Sequence, residues 1–359
     1  MECKYLNDHP QQLLTPPDHP SSKDSITSAP ESNRSPSQRI LELELMHQWT
    51  SATYKSYCGT YESEYHAWQV LVPRMALKHD FLLHTLFAMS ALELADTAES
   101  APAQDYVHAA LDYQSLSSSG LRNELSSIDL KAVPQEQHQA LYAASSILMI
   151  LALALPRFLK QPSERTEMLE SMLTYIELLK GLVVVFYSRN KDHRDDPLMA
   201  NYKTWDELPV KPIDSSVKEA LDRLIALNEE VHGFARTDHR TPELQAMTYH
   251  AACRKAIFYL QECWERCSSP DTRGYMLAFL LQAGEDFIMA LKEKEAVAVL
   301  ITMHWGVLLE SQSYDIWWAR DVGKSLVEEL SDILGLPDNE NSMAGLRWTR
   351  EQVGLSEVP

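Results

Sequence analysis

Two histidines and two cysteines are spaced closely enough to raise the question of a metal or a catalytic site. His79 and His84 stand five apart, missing the i, i+4 spacing that would turn both rings toward one metal from a helix face. His84 lies in an apolar run and reads as a hydrogen-bonded core histidine. Cys263 and Cys267 do share a helix face at i, i+4, but no His or further Cys pair completes a site, so they read as buried apolar cysteines. The acidic pairs Asp195-Asp196 and Glu328-Glu329 are adjacent, diverge in direction and read as solvated surface. No two glycines lie closer than nine apart, which removes GxGxxG and P-loop phosphate cradles, and neither GxSxG nor HExxH occurs. No catalytic residue, metal ligand or cofactor is expected, and the chain reads as a non-enzyme.

Without a catalytic constellation, the reading shifts to the elements. Glycine is scarce, 11 in 359 residues, and long periodic apolar segments are many, so the fold class is all-α. Trp68 to Ala95 organises the chain. From Phe81 to Leu92, twelve residues carry no formal charge and apolar ones fall on every side of a helical projection, the pattern of a buried helix. Pro73 is expected to kink a short segment carrying Trp68, Leu71 and Val72 into it. Ala140 to Leu155 is the longest uncharged apolar run. Its 16 residues fall short of the ~20 that cross a bilayer, so it reads as a second core helix and no membrane span is expected.

Other helices follow from caps and stripes. Ser35 and Pro36 open a helix whose inward stripe is Leu41, Leu45, Trp49 and Ala52, running to Tyr57 with Gly59 as its stop. Further helices are expected over Pro102–Ser127, Met168–Phe186, Ser215–Phe234, Thr241–Arg266 with Thr241 capping and Pro242 leading, and Thr272–Ala290. Val297, Leu300, Ile301, His304 and Leu308 form one stripe, leaving Trp305 about 100° round from His304. Residues 1–37, rich in Pro, Ser and Asp, read as a disordered linker, and 38–355 as the helical body, which the connection at 187–213 divides into two lobes or leaves as one.

The charge of -19 repels phosphate backbones, so the chain should not bind DNA by itself. Five Cys at irregular spacing and no apolar leader point to a reducing intracellular compartment.

One set of residues carries a resemblance. Trp68, then Val72-Pro73-x-Met75-Ala76, His79-x-Phe81-Leu82-Leu83-His84 and Ala88-Met89-Ser90-Ala91-Leu92-x-Leu94-Ala95, resembles the start of the regulatory domain of fungal binuclear zinc cluster transcription factors, specifically those like sterol uptake control regulators. Near the other end, Ala298-x-x-Ile301-x-x-His304-Trp305, Tyr314-x-x-Trp317-Trp318-x-Arg320-x-x-Gly323 and Leu346-x-Trp348 resemble the same family. Between these blocks the similarity is weaker, with Leu178-Leu179-x-Gly181 as one match. Cys3-Lys4-Tyr5 resembles the end of a zinc cluster, in which case five upstream cysteines and a basic helix are missing; alone, it is an incidental cysteine that cannot hold zinc. Zinc is expected only with such an upstream cluster.

The resemblance implies a transcription regulator acting in the nucleus, or held in the cytoplasm until activated, with the transcription machinery or paralogous regulators as partners. It also implies a lipid ligand, a sterol first. For the aromatic C-terminal end two readings stand: core packing, or an apolar pocket lined by Met276, Phe279, Trp305, Leu308, Leu309, Trp317 and Trp318, since adjacent Trp317 and Trp318 cannot both face one core. A ligand-free helical scaffold pairing with full-length regulators is the alternative function.

Overall fold

The computed structural model describes residues 35–58, 62–99, 101–159, 168–188, 196–198, 205–233, 243–267, 269, 271–314, 316–334 and 340–356. Cys3, the Pro-rich stretch to residue 34, the helix stops at Gly59 and Phe234, and the Thr241-Pro242 start lie outside them. The protein is all-α, and among the described residues there is no strand.

In chain order the helices are α1 (Pro36–Ser51), α2 (Glu62–His66), α3 (Val72–Ala76), α4 (Asp80–Thr97), α5 (Ala101–Ser127), α6 (Gln135–Ala154) and α7 (Met168–Tyr187). They continue as α8 (Ser215–His232), α9 (Glu243–Arg266), α10 (Phe279–Ala283), α11 (Glu285–Lys292), α12 (Ala296–Ser311), α13 (Val322–Ile333) and α14 (Glu340–Gln352). Short 3-10 turns at Thr53–Tyr57, Leu155–Phe158 and Trp317–Ala319 extend or join them.

Three helices are buried nearly all round, and the rest surround them. α4 packs against α1, α3, α5 and α6. The α4–α5 approach is close because small residues line it: Thr85 and Ser117 share a buried hydroxyl hydrogen bond of 2.5 Å. α6 carries fifteen buried residues and packs on α4 and α7. With its terminal turn it spans 24 residues, Gln135–Phe158, longer than the 16-residue run suggests and long and apolar enough to cross a membrane; here its apolar surface is mostly covered by neighbouring helices. α12, buried at every position from Val297 to Leu309, is enclosed by α8, α9, α11, α13 and α14. α7 touches α13 and α10, so most of the buried apolar residues from Leu45 to Val353 form one contiguous cluster.

Local chemistry explains several element ends. Ser35 Oγ accepts from the Gln38 amide (3.2 Å) with Pro36 at the helix start, as its sequence predicts. α1 nevertheless stops at Ser51 and tightens into the Thr53–Tyr57 turn, where Trp49 donates to the Trp68 carbonyl (2.9 Å) and Tyr57 stacks on Trp68.

Two expectations are corrected. Pro73 does not end its helix: the preceding turn, Ala67–Leu71, is a wide π turn in which Val72 N–H reaches the Ala67 carbonyl, so the ring is accommodated, and the break that leads into α4 falls at Leu77–His79. The single helix expected over Thr272–Ala290 is a 3-10 turn, α10 and α11, bent by 82° at Gly284, whose φ of 95° suits glycine. Within 187–213, the part around Trp205–Leu208 docks on α9: Trp205 donates to Glu262 (3.1 Å) and Arg266 donates to the Leu208 carbonyl (3.0 Å).

α12 begins at a built cap. Glu295 accepts from the amides of Val297 (3.0 Å) and Ala298 (2.8 Å) and pairs with His232 (3.2 Å). Burial pushes its carboxyl up, but the His232 imidazole and the two amides outweigh this and hold it below the ordinary value. A depressed folded value means the cap stabilises above the unfolded pKa and is lost as pH falls through the folded one. Glu295→Ala is therefore expected to cost about 1–2 kcal/mol at pH 7, read by urea melts, with the wild-type advantage shrinking on acidification. Equal midpoints at pH 7 would remove the cap from this account.

Candidate ligand cleft

Of the two readings of the aromatic end, core packing describes how its residues lie in this structure. Met276, Phe279, Trp305, Leu308, Leu309 and Trp318 are all buried, and Trp317 is half-buried. Trp305 has no exposed surface: its Nε1–H donates to the Met276 carbonyl (3.0 Å) and its ring lies 5.6 Å from that of Phe279. Trp305 lies in the core although it stands off the Val297–Leu308 stripe, because α12 is covered on all sides. The signal was present in the uncharged run Ala296–Leu309, which reads as a third all-round apolar helix. Trp318 lies elsewhere, its Nε1–H directed at the Ser56 carbonyl (3.4 Å).

The other chemistry-bearing residues also resolve into packing. The half-buried His84 ring stacks on Tyr113 and His79 lies against Phe81, so the two do not converge. Cys263 and Cys267 are buried free thiols, and burial, with the neighbouring Cys267, pushes the Cys263 thiol well above its usual range. Glu329 is not free surface: it accepts from the Leu169 amide (2.9 Å) at the start of α7. Asp196 accepts from the Leu198 amide, and Asp195 lies outside the described residues. Among the described residues no group of three or more His, Cys, Asp or Glu is arranged to hold a metal.

His304 is the most perturbed of the matched residues. It sits within α12, stacked on Trp348 at 5.0 Å, with Nδ1–H donating to the Leu300 carbonyl (2.8 Å). Burial pulls its pKa down to about 4, and nearby Arg223 adds to this, while the Leu300 carbonyl opposes both. Between that value and the ordinary 6.5 the unfolded chain binds a proton that the folded chain does not. Stability is thus expected to fall as pH drops from 6.5 toward 4, by up to roughly 3 kcal/mol from this group. Comparing urea midpoints at pH 7 and 5 for wild type and His304→Phe checks it; an identical slope in both would place the titration elsewhere.

An open cleft lies where distant parts of the chain meet. Its volume is about 260 Å³, and four elements frame it: the end of α4, the first turns of α5, the turn after α6, and the link into α13. Val107 and Leu111 of α5, half-buried, give it an apolar wall with Phe158 and Leu159. Gln104 and His108 stand exposed on the α5 side.

Its polar side is one carboxylate between two guanidinium groups. Arg157 Nη2 donates to Asp96 Oδ1 (2.8 Å) and Arg320 Nη1 donates to Asp96 Oδ2 (3.2 Å). Arg157 Nη1 also donates to the Arg320 carbonyl (3.2 Å). Arg157 and Asp96 are largely buried, with 14% and 11% of their side chains exposed, whereas Arg320 is 56% exposed. Burial pulls the Arg157 pKa down, with Asp96 opposing. Asp321, at φ 59°, occupies the left-handed region at the foot of α13.

The sequence reading missed this cleft. Arg320 stands within a matched block, and Arg157 is the first charge after the Ala140–Leu155 run, but their shared partner Asp96 is visible only once the chain is folded.

No family model matches the chain, and none of the curated proteins matches it.

Proposed function

We propose that the chain is the all-α regulatory part of a transcription regulator of the fungal zinc cluster class, and that it responds to a small apolar ligand seated in the seam cleft. The observation that carries the reading is that the chain on either side of one of its two most specific blocks of resemblance is tied to the other block. The residue after the Trp68–Ala95 block, Asp96, holds Arg320 of the Tyr314–Gly323 block, and Trp318 reaches Ser56. A ligand wedged at such a seam would change how the two blocks meet, which is how a binding event becomes a change of shape. In this reading the protein does no chemistry of its own and acts in the nucleus through other regulators or the transcription machinery, with no direct contact to DNA.

The test is a reporter. The full chain fused to a heterologous DNA-binding module should change reporter output in a fungal host several-fold, and the output should move with lipid supply. Output indistinguishable from the module alone under every lipid condition would overturn the reading.

The ligand-free scaffold remains the second reading, favoured by one observation. Ile225 of α8 and Phe258 of α9 stand exposed beside a groove flanked by Glu229 and Arg254, an apolar strip between opposite charges that suits a protein partner.

A further inference from the structure

The seam cleft has a chemistry that the resemblance does not supply. Its volume of about 260 Å³ lies under the roughly 300–1,000 Å³ of drug-sized ligand sites, so its occupant stands at the small end of that class. Its walls are half apolar and half ionic, which calls for an occupant with both characters.

The ionic half decides which. Asp96 is buried and already held by Arg157 at 2.8 Å, the shorter of its two ion pairs. Arg320, the longer and more exposed partner, can leave without orphaning that carboxylate. Arg157 and Asp96 neutralise each other in the largely buried layer, while Arg320, more than half exposed and bound to Asp96 through Nη1 alone, keeps its other N–H donors for an incoming group; Asp321, at the rim, is exposed to water as well. Guanidinium geometry matches a second carboxylate through paired N–H donors. A cationic head would have to compete with both arginines for Asp96, and a neutral hydroxyl would gain only one weaker hydrogen bond.

We propose that the cleft binds a small amphipathic carboxylic acid, its carboxylate paired with Arg320 and its hydrocarbon body laid along Val107, Leu111 and Phe158. This rests on the reading of the chain as ligand-responsive and adds an acidic head to the apolar ligand of that reading. Because Arg320 leads directly through Asp321 into α13, drawing its guanidinium from Asp96 to the ligand loosens the tie between α4 and the start of α13.

The test uses the whole chain, with decanoate, decanol, decylamine and a sterol, each held below its aggregation limit. Decanoate is expected to raise the melting temperature with the logarithm of its free concentration, and decanol and decylamine to do so at least tenfold less effectively. Arg320→Gln should weaken decanoate at least tenfold, Arg320→Lys less, and Val107→Trp, which fills the apolar side, should abolish the response. Circular dichroism on each variant confirms that it is folded. Equal affinity for decanol and decanoate, or full decanoate binding by folded Arg320→Gln, would overturn the acid specificity while leaving ligand response intact. Binding of the sterol alone would do the same. A chain that responds to none of the four would overturn this inference, and the ligand-response reading would then be decided by the reporter.

Discussion

Trp305→Ala is expected to cost about 3–5 kcal/mol. The ring is fully buried in a helix buried on every side, and its removal leaves a cavity bounded by Phe279, itself without exposed surface. Deleting the indole also strips the Met276 carbonyl of the 3.0 Å bond it accepts. Against a domain stability of roughly 5–15 kcal/mol such a loss leaves little margin at 37 °C. Urea unfolding at pH 7 measures it, with Trp305→Phe separating the terms: the smaller ring keeps most of the packing and should lose about 1–3 kcal/mol. A change below about 1 kcal/mol for Trp305→Ala would mean that the site collapses without cost, and the picture of α12 as a packed axis would be wrong.

Gly323→Ala should be nearly as damaging, by more than about 3 kcal/mol, for the opposite reason. α12 and α13 cross at Gly306 and Gly323 with no side chain between them. A Cβ at Gly323 would overlap the carbonyl oxygen of Gly306 and stand 2.7 Å from the amide nitrogen of Glu310. Those atoms are backbone within a buried helix and cannot rotate aside. Gly306→Ala meets the Val327 side chain at 3.1 Å and the Gly323 carbonyl at 3.2 Å, so it should cost less, about 1–2 kcal/mol. Thermal melts of the two variants give the order, and a Gly323→Ala protein melting within a few degrees of wild type would show that the helices can slide apart.

Buried helices were legible as uncharged apolar runs: α4 and α6 stand where their runs place them, because a helix with no polar face has nowhere to go but inside. The same rule covers α12, whose run Ala296–Leu309 carries no charge; the stripe through Val297, Leu300 and His304 describes one face of it and leaves Trp305 outside. Helix breaks were less legible. Pro73 fits inside a π turn, whereas Gly284 breaks a helix that its neighbours would continue, since tolerance of either residue depends on the turn around it. The cleft was not legible at all. Asp96, Arg157 and Arg320 are ordinary surface types in sequence, and only the long-range closure of the fold makes them one ionic group.

That closure has a consequence for how the protein comes off the ribosome. Arg157 and Arg320 lie 163 residues apart, and Trp318 finds Ser56 across 262. At about 5–20 residues per second, on the order of 10–30 s pass between synthesis of the end of α6 and synthesis of the residues that seal it. For that interval one of the most apolar helices of the chain is made but lacks its last covering, and it is long enough to be mistaken for a membrane segment. The nascent chain should therefore lean heavily on holding chaperones, and any truncation before Arg320 should yield aggregates rather than a smaller folded unit.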